Sequence, residues 1–276
     1  MSQLHVIVLA AGQGKRMRSG LPKVLHEIGG RALIAHVIEA ARLLEPDAVH
    51  VVYGHGGEQV RGALADSCVQ WAEQAERRGT GHAVAQALPA VADDAVVLVL
   101  YGDVPLVRAD TLRAVLEPAV RGAVGLLSVD LDDPGGYGRI VRDADGQVRS
   151  IVEEKDANAV EQSIREVNTG ILAAPAARLK AWLGEIKDDN AQGEFYLTDV
   201  IGLAVAEGAS VSVSRAPTPV EVMGVNDRVQ LAELERAYQR GRAEELMLGG
   251  ATLRDPARVD VRGEVSVGRD VIIDVN

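Results

Sequence analysis

The chain has 276 residues, 47% of them hydrophobic and 25% charged, a balance that supports one large or two modest buried cores and excludes a disordered or membrane-like chain. Its 29 Lys and Arg against 40 Asp and Glu leave a net charge of −11, which argues against a broad phosphate-backbone surface and hence against nucleic acid as a partner. Cys68 stands alone, no apolar run reaches the roughly 18 to 20 residues of a membrane span, and the Met1-Ser-Gln-Leu4 start lacks a signal-peptide pattern; a reduced, soluble, cytoplasmic protein with no membrane partner is expected.

Residues 4–11, LHVIVLAA, form an apolar run of strand length that meets glycine at once in Gly12-Gln-Gly14. Helical spacing follows over 32–44, then a strand over 48–53, a helix near 58–65, a short strand near 69–71, a helix over about 81–90 and a VVLVL-rich strand over 95–101. Strands that alternate with helices and are apolar throughout point to a mainly parallel sheet covered on both faces, which binds ligands beyond the carboxyl ends of its strands. Tyr53-Gly-His-Gly-Gly57 reads as a strand-end turn, and none of the six histidines has metal-ligand spacing. Further on, 138–141 and 148–153 flank Asp143-Ala-Asp-Gly146, the pattern of an antiparallel hairpin.

Residues 227–248 are charge-rich with Leu231, Leu234 and Tyr238 at helical spacing, which predicts one long connecting helix. Beyond Asp255-Pro256, Val261, Val267 and Ile273 recur at six-residue intervals, as do Val259, Val265 and Val271. That period is the mark of a β-helix solenoid, which needs about three or more repeats, so the chain reads as part of a longer protein.

The first strand runs into LAAGQGKRMRSGLPKV, residues 9–24, where a glycine turn meets Lys15, Arg16, Arg18 and Lys23. Glycines let backbone amides approach an anion and the cations neutralise phosphate charge, so a nucleoside triphosphate fits this loop. A solvated surface turn is the plainer alternative. A dinucleotide fingerprint would need a third glycine where Met17 stands, and no GxxxxGK[ST] occurs.

The G-x-G-x-R-M and L-P-K pair resembles the signature of sugar-1-phosphate nucleotidyltransferases. Eight further ordered blocks narrow the likeness: WAEQAERRGTGHA (71–83), YGDVPL (101–106), LDDPGGYGRI (131–140), IVEEKD (151–156), EVNTGIL (166–172), NAQGEFYLTD (190–199), EVMGVNDR (221–228) and LRDPAR (253–258). Together they are similar to the bacterial bifunctional N-acetylglucosamine-1-phosphate uridyltransferase / glucosamine-1-phosphate acetyltransferase family over almost the full chain.

The resemblance implies a Rossmann-like α/β nucleotide-diphospho-sugar transferase fold over 1–225, a connecting helix over 226–250 and the start of a left-handed β-helix over 251–276. It assigns Leu9, Ala10, Ala11, Gly12 and Lys23 to the nucleotide, with Gln74, Gly79 and Thr80 around the uracil. Arg16 and Lys23 become the catalytic cations. Asp103 and Asn226 become Mg²⁺ ligands that also face substrate, although a turn aspartate and a helix cap are equally ordinary uses of these residues. Gly138, Glu153 and Asn168 fall to the N-acetylglucosamine unit, with Tyr101, Tyr196 and Thr198 as neighbours.

The implied reaction joins UTP and N-acetylglucosamine-1-phosphate into UDP-N-acetylglucosamine and pyrophosphate, for cell-envelope precursors such as peptidoglycan and lipopolysaccharide. The alternatives are a related nucleotidyltransferase with another sugar phosphate or base, and a catalytically silent sugar-nucleotide binding module. The family assembles as trimers largely through its solenoid. With one coil of repeat, the chain is expected to be monomeric or weakly associated and to lack acetyl transfer.

Overall fold

The computed structural model describes residues 3–54 and 56–275; Met1, Ser2, Asn276 and His55, the centre of the expected 53–57 turn, lie outside the described residues. The first part alternates as the apolar runs predict: β1 (Leu4–Leu9), α1 (Leu33–Arg42), β2 (Ala48–Tyr53), α2 (Gly57–Ala63), β3 (Gln70–Glu73), α3 (Thr80–Ala87), β4 (Val96–Tyr101) and α4 (Ala109–Val120). Strands β4, β1, β2 and β3 lie side by side in that order, all parallel. Val6, Ile7, Val8, Leu98, Val99 and Leu100 are wholly buried, which is why these strands carry no polar alternation. β1 stops two residues before its apolar run does: the Ala10 amide still donates to Val52 O, then the chain leaves the sheet towards Gly12.

The second part adds β5 (Val124–Asp130), β6 (Arg139–Arg142), β7 (Val148–Val152), β8 (Glu166–Pro175), α5 (Ala176–Glu185), α6 (Asp199–Ala206), β9 (Val211–Arg215) and α7 (Arg228–Leu248). The sheet runs β9-β5-β8-β4-β1-β2-β3, with β8 antiparallel to both neighbours and the antiparallel β6–β7 hairpin attached through β8. The hairpin turn is held by Asp143 Oδ1, which accepts from the amides of Asp145 at 3.0 Å and Gln147 at 2.8 Å. Glu166 pins the start of β8: it accepts two bonds from Arg142, at 2.7 and 2.8 Å, and one from Ser128. The Arg142 guanidinium holds this carboxyl below the usual carboxylate range.

Helix α7 joins two small cores rather than projecting alone. Leu234 and Val225 pack with Met17, Ile28 and Leu33, while Ala243 and Leu246 pack with Ala251, Leu253 and Val261. Its N-cap is Asp227, whose Oδ1 accepts from Val229 N and Gln230 N, so the capping use of Asn226 is corrected by one residue. After α7, Thr252–Leu253 pairs in parallel with Ile272–Ile273. Of the two six-residue registers, Val261, Val267 and Ile273 all turn towards the α7 core, whereas in the other only Val259 does and Val265 and Val271 are exposed.

Candidate active site

Parallel strands leave their carboxyl ends on one edge of the sheet, and here the chain departs on both sides of β1, towards β2 and towards β4. That divergence opens a crevice at the strand ends. The crevice is a cavity of about 230 Å³, lined by Leu9, Ala10, Ala11 and Gly12 from the end of β1, by Gln74, Gly79 and Thr80 between β3 and α3, and by Lys23, Tyr101 and Asp103. All the residues expected at the nucleotide therefore meet in one place. Backbone bonds set the spacing: Gly102 N donates to Leu9 O at 2.9 Å, and Gln74 N to Tyr53 O at 2.8 Å.

Gln74 is only 4% exposed, which removes its reading as an ordinary surface glutamine. Its Nε2 donates to Gly79 O at 3.1 Å and meets His82 Nδ1 at 3.1 Å. Both contacts use the amide nitrogen, leaving the carbonyl oxygen for a ligand's donor.

Asp103 follows β4, and Asn226 precedes α7, yet Val225 N donates to Asp103 O at 2.9 Å and brings the two residues together. The Lys23 ammonium lies between their side chains, ion-paired with Asp103 Oδ2 and 3.3 Å from Asn226 Oδ1. A hard carboxylate oxygen and a hard amide oxygen thus converge on one positive charge. Among the described residues no group of three His, Cys, Asp or Glu side chains offers a denser cage. This donor pair suits a divalent cation that completes its shell with water and phosphate oxygens. Arg16, in the single turn Lys15–Met17, is exposed and does not line the cavity; the structure does not bring it to Lys23.

The residues expected at the sugar are brought together from β6, β7, β8 and the segment before α6. Asn168 N donates to Gly138 O at 2.8 Å, and Thr198 Oγ1 donates to Glu153 Oε1 at 2.9 Å. Burial pushes the Glu153 carboxyl up, and the Thr198 hydrogen bond offsets part of this. Tyr196 is buried and its hydroxyl accepts from Gln192 Nε2 at 2.9 Å. Tyr101 sits between the two sides; burial first, then the Glu153 and Asp103 charges, push its phenol up and keep it a neutral hydrogen-bond group.

Tyr101 reaches this position because β8 bulges between Asn168 and Leu172. Gly170 stands in the bulge at φ +85°, where a Cβ would lie 2.4 Å from the Tyr101 ring. Asn168 Oδ1 accepts from Gly170 N at 3.0 Å, so its amide nitrogen is the group left for a ligand. Besides the apolar Val24 and Ala83, the cavity is lined by two charged residues that were not singled out from the sequence, Arg77 and Glu194. They lie inside the 71–83 and 190–199 blocks, but as exposed-type charges they carry no signal that separates them from a solvated face.

The profile described as "MobA-like NTP transferase domain" matches residues 6–133. The chain is 58% identical over all 276 residues to "Bifunctional protein GlmU" of Marinobacter nauticus, and 59% identical over 272 residues to the protein of that name in Dechloromonas aromatica. It spans 61% and 60% of their lengths respectively. Among solved structures, a nucleotidyl transferase from Methanothermobacter thermautotroptrophicus superposes with a TM-score of 0.60 at 20% identity, covering 87% of this chain and 100% of that one. A UDP-glucose pyrophosphorylase complexed with UDP-glucose superposes with a TM-score of 0.68 at 16% identity, covering 88% of this chain and 100% of its own. These two likenesses establish the nucleotidyltransferase fold with its mostly parallel central sheet.

Proposed function

We propose that the chain, similar over its whole length to the bifunctional GlmU proteins, is a member of their family and transfers uridylyl from UTP to N-acetylglucosamine-1-phosphate, giving UDP-N-acetylglucosamine and pyrophosphate. The observation that carries this reading is the meeting of Lys23, Asp103 and Asn226 at the mouth of the cavity lined by residues 9–12, Gln74, Gly79 and Thr80. Uracil offers both donor and acceptor edges, and the free Gln74 carbonyl with the Gly79–Thr80 backbone can answer both, so a base lacking that pattern leaves buried polar groups unpaired. The sugar lies against Gly138, where a Cβ would meet Ile151 Cγ2 at 2.9 Å, with Glu153 accepting hydroxyls and Asn168 donating.

A phosphate oxygen of the sugar phosphate attacks the α-phosphorus in line, and no enzyme nucleophile is required. The chain contributes alignment and charge. Asp103 and Asn226 would hold Mg²⁺, which would supply positive charge to the reacting phosphates. Lys23 exchanges its present oxygen partners for the triphosphate, and Arg16 is proposed as the cation for the leaving pyrophosphate. We place this reaction in the cytoplasm, where it feeds cell-envelope precursor synthesis. Residues 226–250 are proposed as the connector and 251–276 as the start of a left-handed β-helix.

Pyrophosphate release with UTP against a panel of sugar phosphates tests the reading. N-acetylglucosamine-1-phosphate should be preferred. Preference for glucose-1-phosphate, or UTP binding without turnover of any sugar phosphate, would overturn it.

A further inference from the structure

One irregular segment, residues 190–198 between α5 and α6, touches both halves of the site. Towards the base it is joined to the loop that opens α3. Phe195 N donates to Arg78 O at 2.7 Å, Gly81 N donates to Phe195 O at 2.9 Å, and Leu197 N donates to Thr80 Oγ1 at 3.1 Å. The Arg78 guanidinium covers the Phe195 ring at 4.7 Å. Approach is so close that a Cβ on Gly79, at φ +106°, would lie 2.5 Å from Phe195 O.

Towards the sugar, the same segment holds the loop after β7. Thr198 Oγ1 donates to Glu153 Oε1 at 2.9 Å, Ala191 N donates to Asp156 Oδ1 at 2.9 Å, and Lys155 Nζ donates to Gln192 Oε1 at 2.6 Å. Gln192 then passes the contact on through Nε2 to the Tyr196 hydroxyl. Asn190 shapes the turn between the two ends: its Oδ1 accepts from Gln192 N and Glu194 N, both at 3.2 Å, and its Nδ2 donates to Glu194 O at 2.6 Å. No helix or strand ladder stabilises this stretch, so these side-chain bonds, with the backbone bonds of Phe195, set its shape.

We propose that residues 190–198 couple the two substrate sites energetically, with Asn190 and Gln192 as positioning residues. The proposal rests on the nucleotide and sugar assignments made above. A nucleotide seated on Gly79 and Thr80 restrains the loop bonded to Phe195 and Leu197. That restraint extends one residue further to Thr198, and so to the Glu153 carboxylate. Ordering of the segment is then complete before the sugar phosphate arrives, and the second ligand binds more tightly for it. Reciprocity requires the sugar phosphate to tighten the nucleotide by the same factor.

The test is titration calorimetry of the full chain with N-acetylglucosamine-1-phosphate, with and without saturating UTP, in EDTA to prevent turnover. The ratio of the two dissociation constants measures the coupling. That ratio should be at least about fivefold larger in the wild type than in Asn190→Ala or Gln192→Ala. Gln192 is exposed, so its variant should fold normally even where Asn190→Ala does not. UTP alone should bind the Gln192→Ala chain within about twofold of wild type, and hydrogen exchange at the Gly81, Phe195 and Leu197 amides should slow when the sugar phosphate binds to the wild type but not to the variant. An unchanged ratio in Gln192→Ala overturns the coupling while leaving the function standing. Failure of the wild type to bind either ligand would instead overturn the function.

Discussion

The proposed nucleotide cavity is lined at the end of β1 by Leu9, Ala10, Ala11 and Gly12, whose side chains offer no hydrogen bond, whereas the proposed sugar side presents Glu153, Asn168, Tyr196 and Thr198. The first half borrows its geometry from parallel strands that the core holds in place. The second depends on side chains brought together by a bulge, a hairpin and an irregular segment. A site on sheet ends tolerates side-chain change as long as the backbone stays; a site built from side chains loses its geometry when one support is removed. Lys23, Asp103 and Asn226 stand where the halves meet.

Breaking that junction should have the largest effect. Asp103→Ala removes the carboxylate that faces both Lys23 and the proposed cation, and turnover should fall by about a hundredfold or more while circular dichroism stays native. Wild-type rates at limiting Mg²⁺ would mean that the junction lies elsewhere.

Gly170→Ala separates the halves. A Cβ there is forced into the Tyr101 ring from a left-handed backbone position, so the bulge or the ring must shift. KM for N-acetylglucosamine-1-phosphate should rise about tenfold, with a smaller loss of UTP affinity because Tyr101 also lines the nucleotide cavity. Equal losses for both ligands would show that the sugar side is not independently supported.

The two halves also differed in what their residues disclosed. Buried parallel strands must be apolar on both faces, so β1, β2 and β4 stood out as runs of Val, Ile and Leu, and their strand-end loops followed directly. Strand β8 did not, because Asn168-Thr169-Gly170 breaks its apolar pattern at the bulge. The Lys23–Asp103 contact spans 80 positions and the Lys23–Asn226 contact 203, separations that no local spacing rule reports. Asp227 rather than Asn226 caps α7 because both are good cap residues in adjacent positions, a choice that only the backbone resolves. The sugar residues themselves were reached through family resemblance, since a hairpin glycine or a strand asparagine carries no chemical mark of its own.

Acid should weaken the scaffold of the nucleotide half. His5 on β1 and His50 on β2 stack at 5.2 Å, with Nδ1 of His5 2.9 Å from Nε2 of His50, and both are buried. Burial lowers both imidazoles, His50 to about 4. The unfolded chain takes up these protons near pH 6.5 and the folded chain does not, so the contribution is full above about pH 6.5 and lost as the pH falls towards 4. Unfolding free energies from urea titrations should drop over that window by an amount on the order of 2 kcal/mol, and the slope should flatten in a His5→Leu/His50→Leu chain. A parallel slope in that variant would assign the acid sensitivity to carboxylates instead.

The smallest effect should come from the helix cap that sets Asn226. Asp227 Oδ1 satisfies the amides of Val229 and Gln230 at 2.9 Å each, while Gln230 Oε1 accepts from Asn226 N at 2.7 Å, so the first turn of α7 and the metal-side residue are tied in both directions. Asp227→Ala leaves two helix donors to water and should cost about 1 kcal/mol, a fall in Tm of about 2–4 °C for a chain of this size. The Gln230 bond survives but now comes from a frayed turn, so Asn226 should be held less firmly and Mn²⁺ affinity in the presence of UTP should weaken by about threefold. Asp227→Ser keeps a capping oxygen and should restore both values. If Tm falls in Asp227→Ala while Mn²⁺ affinity does not, Asn226 is positioned by the Val225–Asp103 backbone bond alone, and the junction between the halves belongs to the sheet rather than to the helix.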